Sequence, residues 1–155
     1  AEMTGADDWV ETIATFSDGT NSFDVSTAYL ESQPDIRLYF LRIVDGSGSG
    51  EGFPNGDFQS LEKLWDGEIP TIDTVDETNT FTAEQVSGLL LGIIEHHQPE
   101  TIMRQDHETI YHGGDHSGHI HTSLFVEEAQ EHYDTPHETI SYLEYGRFGG
   151  EPDDR

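Results

Sequence analysis

Ile36-Arg37-Leu38-Tyr39-Phe40-Leu41-Arg42-Ile43-Val44 is the strongest β-forming stretch of the chain. Its apolar character is nearly continuous, and β-branched and aromatic residues recur through it. Such a run predicts a strand buried on both faces, as in a mostly parallel sheet covered by helices. It passes directly into Asp45-Gly46-Ser47-Gly48-Ser49-Gly50-Glu51-Gly52, a flexible loop at the strand's carboxyl end. Ligand sites of open α/β sheets gather at those ends, which makes Asp45 a candidate site residue. A phosphate cradle is excluded, because no Gly-Lys-Ser/Thr follows and the loop is acidic.

On the amino-terminal side, residues 9–16 and 22–29 read as two extended segments around the turn cluster Ser17-Asp18-Gly19-Thr20-Asn21, a β-hairpin. Gln33-Pro34-Asp35 reads as a break between this hairpin and the long strand. On the carboxyl side, residues 58–66 have helical spacing through Phe58, Leu61, Leu64 and Trp65. Thr82 and Gln85 form a capping box, Phe81 can staple onto Val86, and Val86, Leu89, Leu90, Ile93 and Ile94 form one apolar stripe. This helix stops before Pro99, with His96 and His97 in its last turn, where the helix dipole accounts for them. Residues 101–104 predict a short strand that delivers Asp106 to the same sheet edge as Asp45. A helix follows from about Ser117, a last strand over 139–145, and an exposed tail over 146–155. The alternation predicts a layered α/β domain over 1–145.

Composition narrows the function classes. The 155 residues carry 32 Asp and Glu against 6 Lys and Arg, a formal charge of −26, with the acids scattered along the whole chain. Self-repulsion of that size is relieved by salt, so the composition is that of a protein from a high-salt organism. It says nothing of whether the protein works inside or outside the cell. No basic stripe exists to meet phosphates, which excludes nucleic acid as a partner. Cysteine is absent, so a metal must be held by His and carboxylate. No apolar run approaches the roughly 20 residues needed to span a bilayer.

The chemistry concentrates in residues 104–121. Five of the nine histidines lie here (His107, His112, His116, His119 and His121), with Asp106, Glu108 and Asp115 among them. Imidazole and carboxylate are the ligands and proton carriers of many hydrolytic centres. His116 and His119, three apart at the mouth of a predicted helix, project toward a common point.

Residues 83–106, followed by Asp115-His116-Ser117-Gly118-His119, resemble the second half of the PIG-L/LmbE-like N-deacetylase family. Asp45-Gly46 and Gln59-Ser60-Leu61-Glu62-Lys63-Leu64-Trp65 match segments of one bacterial branch. The resemblance implies a Rossmann-like three-layer sandwich with a mostly parallel sheet, into which the amino-terminal hairpin is inserted. It implies zinc-dependent hydrolysis of the N-acetyl group of an N-acetylglucosamine-type glycoconjugate. By position, His119 would be a zinc ligand, and His116 would stabilise or protonate the tetrahedral intermediate. Asp106 would shape the site, and Asp45 and Tyr111 would face the substrate.

The family's first motif, His-Pro-Asp-Asp, is missing, so the resemblance implies an incomplete domain whose other half, with the remaining zinc ligands and the general base, comes from elsewhere. Gly118 stands where the branch has an acidic residue, and Gly114 where the family often has a Tyr. Three readings follow: a piece of a zinc deacetylase, a non-catalytic relative that binds carbohydrate or serves assembly, and a local metal domain built on Asp106, His112, His116 and His119. A second chain that supplies the missing half or covers an exposed sheet edge is an expected partner.

Overall fold

The first two strands are β1 (Trp9–Ser17) and β2 (Ser22–Leu30), paired antiparallel from Trp9 opposite Leu30 to Ser17 opposite Ser22. Asp18 holds the turn between them, its carboxylate accepting the backbone N–H groups of Thr20 (2.7 Å) and Asn21 (2.5 Å). The structure, a computed structural model, describes residues 8–108 and 115–142.

The stretch 36–44 is not the central strand of a mostly parallel sheet. Its first part belongs to β3 (Gln33–Phe40), which pairs antiparallel with β2 as the edge of a three-stranded meander ordered β1-β2-β3. A two-residue link, Glu31-Ser32, joins β2 to β3, whereas a parallel neighbour requires a crossover of about a dozen residues or more. Pro34, expected to break the chain, lies inside β3 and is tolerated because an edge strand has one side without a ladder. Arg42, at φ 56°, ends the extended run. The following residues leave the meander: Val44 N–H donates to the Asp73 carbonyl at 3.2 Å, Val75 N–H to the Arg42 carbonyl at 2.7 Å, and Ile43 bridges Thr74. There they join β4 (Ile72–Asp73) and β5 (Thr80–Phe81), another antiparallel pair.

The meander buries one face. Ala14, Phe16, Phe23, Val25 and Tyr39 turn inward to the core, where Ile72, Phe81, Leu89 and Phe125 are at most 1% exposed. Full burial of each such side chain contributes about 1.5–3 kcal/mol. The opposite face stays apolar and open: Trp9, Ile13, Ile36, Leu38 and Phe40 are all exposed.

α1 (Leu61–Trp65) is capped by Ser60, whose hydroxyl accepts the Lys63 N–H at 3.1 Å. In α2 (Ala83–His97) the Thr82 hydroxyl accepts the Gln85 N–H (3.2 Å) and the Gln85 side chain accepts the Thr82 N–H (2.9 Å), closing the capping box. Gly92 lets α2 approach the end of β1, since a Cβ there would lie 2.8 Å from the Ser17 carbonyl oxygen. α3 (Ser117–Glu131) packs on α2 and on β6 (Thr101–Gln105), and joins β6 to β7 (Glu138–Tyr142).

β6 and β7 form the only parallel ladder among the described residues, a single βαβ unit with α3 as its crossover. The chain is therefore a small α/β protein with mostly antiparallel sheets and three α-helices among those residues, not a Rossmann-like three-layer sandwich. No helix is long and apolar enough to cross a membrane among the described residues. The expected tail at 146–155 lies outside them.

Candidate functional site

The start of α3 gives two histidines opposite hydrogen-bonding roles. His116 is the helix N-cap, and its Nδ1 accepts the backbone N–H of Gly118 at 3.2 Å. A neutral imidazole that accepts at Nδ1 carries its proton on Nε2. Three residues on, His119 Nδ1 lies 3.0 Å from Asp115 Oδ1. An ionised carboxylate only accepts, so this Nδ1 donates and the lone pair of His119 sits on Nε2. One imidazole is thus a donor through Nε2 and the other a ligand or acceptor through Nε2, with the rings 5.2 Å apart and tilted by 34°.

Asp115 is held in turn. Its Oδ1 also accepts the backbone N–H of His116 at 2.7 Å, and its side chain is 9% exposed. Its Oδ2 is buried without a hydrogen-bond partner among the described residues.

The glycine-rich loop after Val44 closes on this corner. Ser117 N–H donates to the Gly48 carbonyl at 3.0 Å, and Ser117 Oγ donates to Glu62 of α1 at 2.5 Å. Gly50, at φ 78°, is required here: a Cβ would lie 1.8 Å from Glu62 Oε2. Asp45 opens the loop, accepting the Ser47 N–H at 3.0 Å. His116, His119 and Asp45 line one cavity of about 610 Å³, whose other walls include Leu41, Val44, Leu90 and Phe125. A few polar groups set in a largely apolar hollow of this size is the usual form of a small-molecule site.

Of the other expected site residues, one falls elsewhere and one lies outside the described residues. Asp106 ends β6, which belongs to a different sheet from β3, and it does not line the cavity. Its carboxylate accepts the Glu108 N–H at 2.9 Å, and its backbone N–H donates to the Tyr142 carbonyl at 2.9 Å. The expectation that it shares a sheet edge with Asp45 fails because residues 36–44 and 101–105 pair with different partners. Tyr111 lies outside the described residues, as does His112.

A second cluster, of which the sequence flags His107 and Glu108 but neither Arg104 nor Glu127 as a partner, surrounds Arg104 of β6. His107, Glu108 and Glu127 each bring one ligand atom within 4.8 Å of the others, a grouping that could hold a metal ion. Arg104, 8% exposed, competes for the same groups. Its guanidinium donates to Glu127 Oε1 (2.8 Å), to Ser123 Oγ (2.7 Å) and to His107 Nδ1 (2.5 Å). An arginine always donates, so His107 accepts at Nδ1 and carries its proton on Nε2, 2.9 Å from Glu127 Oε2. Metal binding here requires His107 to give up that proton and Arg104 to yield Glu127. The signal for Arg104 in the sequence was a scarce basic residue inside a short strand, Thr101-Ile102-Met103-Arg104-Gln105.

His97, at the end of α2, meets the Tyr39 hydroxyl at 2.7 Å. Burial, helped by His96 and Arg37, holds its pKa below the ordinary histidine value, while burial pushes the Tyr39 phenol up. Tyr39 also lines the cavity, so this pair fixes one of its walls. In comparisons with protein families, characterised proteins and solved structures, nothing matches the chain.

Proposed function

We propose that the cavity at the head of α3 is one half of a zinc-dependent N-deacetylase centre acting on an N-acetylglucosamine-type sugar. The observation that carries this reading is the pairing of opposite Nε2 roles on His116 and His119 in one cavity. His119 would hold the zinc through Nε2, with Asp115 bound to its other nitrogen as carboxylates commonly are behind metal-ligating histidines. Zinc, when bound, polarises an amide carbonyl and acidifies water. His116 offers its Nε2–H as a hydrogen-bond donor to the carbonyl oxygen on which charge develops. Asp45, which lines the same cavity, accepts hydrogen bonds from sugar hydroxyls. The remaining ligands and the base would come from outside the residues of this sequence.

One observation favours the alternative of a sugar-binding relative without catalysis. Among the described residues, no grouping of three ligand atoms includes His119. A zinc titration followed by an assay of acetate release from an N-acetylglucosaminide separates the two. The deacetylase reading expects zinc binding that is lost in His119→Ala, and zinc-dependent acetate release that falls about 10²-fold or more in His116→Ala. Sugar binding without zinc uptake or acetate release supports the alternative. Zinc uptake indifferent to His119 overturns the first reading.

A further inference from the structure

We propose that Asp115 is the positioning residue of this centre: it holds His119 as the Nδ1–H tautomer, so that Nε2 presents a lone pair for a metal. The inference rests on the reading of His119 as a ligand and adds to it the group that prepares that ligand.

Three observations support it. Asp115, the residue before the N-cap of α3, precedes His119 by four residues, and its Oδ1 meets His119 Nδ1 at 3.0 Å. The same oxygen is anchored by the His116 backbone N–H at 2.7 Å, which fixes the direction of the carboxylate. The other oxygen is buried and has no hydrogen-bond partner among the described residues, and a poorly solvated acceptor binds its donors more strongly. The residue before His119 cannot do this work, because Gly118 has no side chain. Free imidazole prefers its proton on Nε2; the carboxylate reverses that preference at this one histidine. His116, whose Nδ1 accepts the Gly118 N–H, is an internal reference with the opposite tautomer.

An Asp at this place also suits a helix start electrostatically, and a purely structural role would change stability while leaving the tautomer alone. The test is two-bond proton–nitrogen correlation NMR of the full, metal-free chain with ¹⁵N-labelled histidine, above the ordinary histidine pKa, followed by zinc titration. Wild type is expected to show His119 as Nδ1–H and His116 as Nε2–H. Asp115→Ala should return His119 to Nε2–H and weaken zinc binding about 10- to 100-fold. Asp115→Asn, nearly isosteric and still offering an amide oxygen, should keep the Nδ1–H form and recover most of the zinc affinity. A wild-type His119 protonated on Nε2 overturns the proposal, as does an Asp115→Ala chain that keeps the Nδ1–H form. A tautomer that switches in Asp115→Ala while zinc affinity stays constant supports the positioning role and overturns the zinc reading instead.

Discussion

His107 packs against α3 and His119 belongs to it, and the partner at Nδ1 gives the two rings different roles. At His107 that partner is a guanidinium, which forces the proton onto Nε2, where Glu127 takes it up. At His119 the partner is a carboxylate, which holds the proton on Nδ1 and leaves the lone pair on Nε2. The first histidine is tied into the network of Arg104 and Glu127; the second, in the proposed reading, is prepared for a ligand. A cluster of metal-capable residue types is therefore not equivalent to a metal site. The sign of the charge behind the ring decides between them.

The largest expected effect tests both environments at once. Between about 1 M and 0.01 M salt the screening length grows from about 3 Å to about 30 Å. With a charge of −26, the chain is expected to unfold over that range, seen as loss of helical circular dichroism. An unchanged spectrum in dilute buffer contradicts the salt dependence.

Arg104→Met attacks the locked side of the comparison. It removes the buried donor shared by Glu127 and Ser123 and should cost about 1–2 kcal/mol in urea denaturation. It also removes the guanidinium from His107 Nδ1, so zinc binding at His107, Glu108 and Glu127 should strengthen in this variant relative to wild type. A variant as stable as wild type and no better at binding zinc would mean that Arg104 does not set the state of His107.

His116→Asn attacks the prepared side with the smallest change in stability. Asn is among the best N-cap residues, so stability should hold or rise by up to about 1 kcal/mol, while zinc-dependent acetate release falls with the loss of the imidazole. Thermal unfolding and the acetate assay on one sample check both halves. A drop in stability greater than about 1 kcal/mol would show that the imidazole does more for the helix than cap it.

The parts of the fold legible in the sequence are those written locally. The hairpin of β1 and β2 needs only alternating residues and the Asp18 turn, and α2 needs only its capping box and apolar stripe. The stretch 36–44 misled because a continuous apolar run reports affinity for a core, not which strand lies beside it. The two-residue link Glu31-Ser32 held the better information, since it forbids a parallel neighbour for β2. The same division holds for the site. His116 and His119 were visible from their spacing at a helix start, and Asp115 stood four residues before His119. The network of Arg104 was not visible, because its partners Ser123 and Glu127 stand 19 and 23 residues away on α3 and meet it only once β6 and the helix have docked.

Pro34 has a consequence for how copies of the chain can meet. A sheet grows by templating, each added strand finding donors and acceptors in register along the exposed edge of the last. At Pro34 the donor does not exist, and Asp35 and Arg37 place charges beside the gap. High salt screens the mutual repulsion of such acidic chains and promotes contact between apolar surfaces, conditions that reward fibre growth in a less guarded sheet. Along β3 the chain carries its own chain terminator, so contacts through the open apolar face of the meander can stack molecules face to face without starting a ribbon.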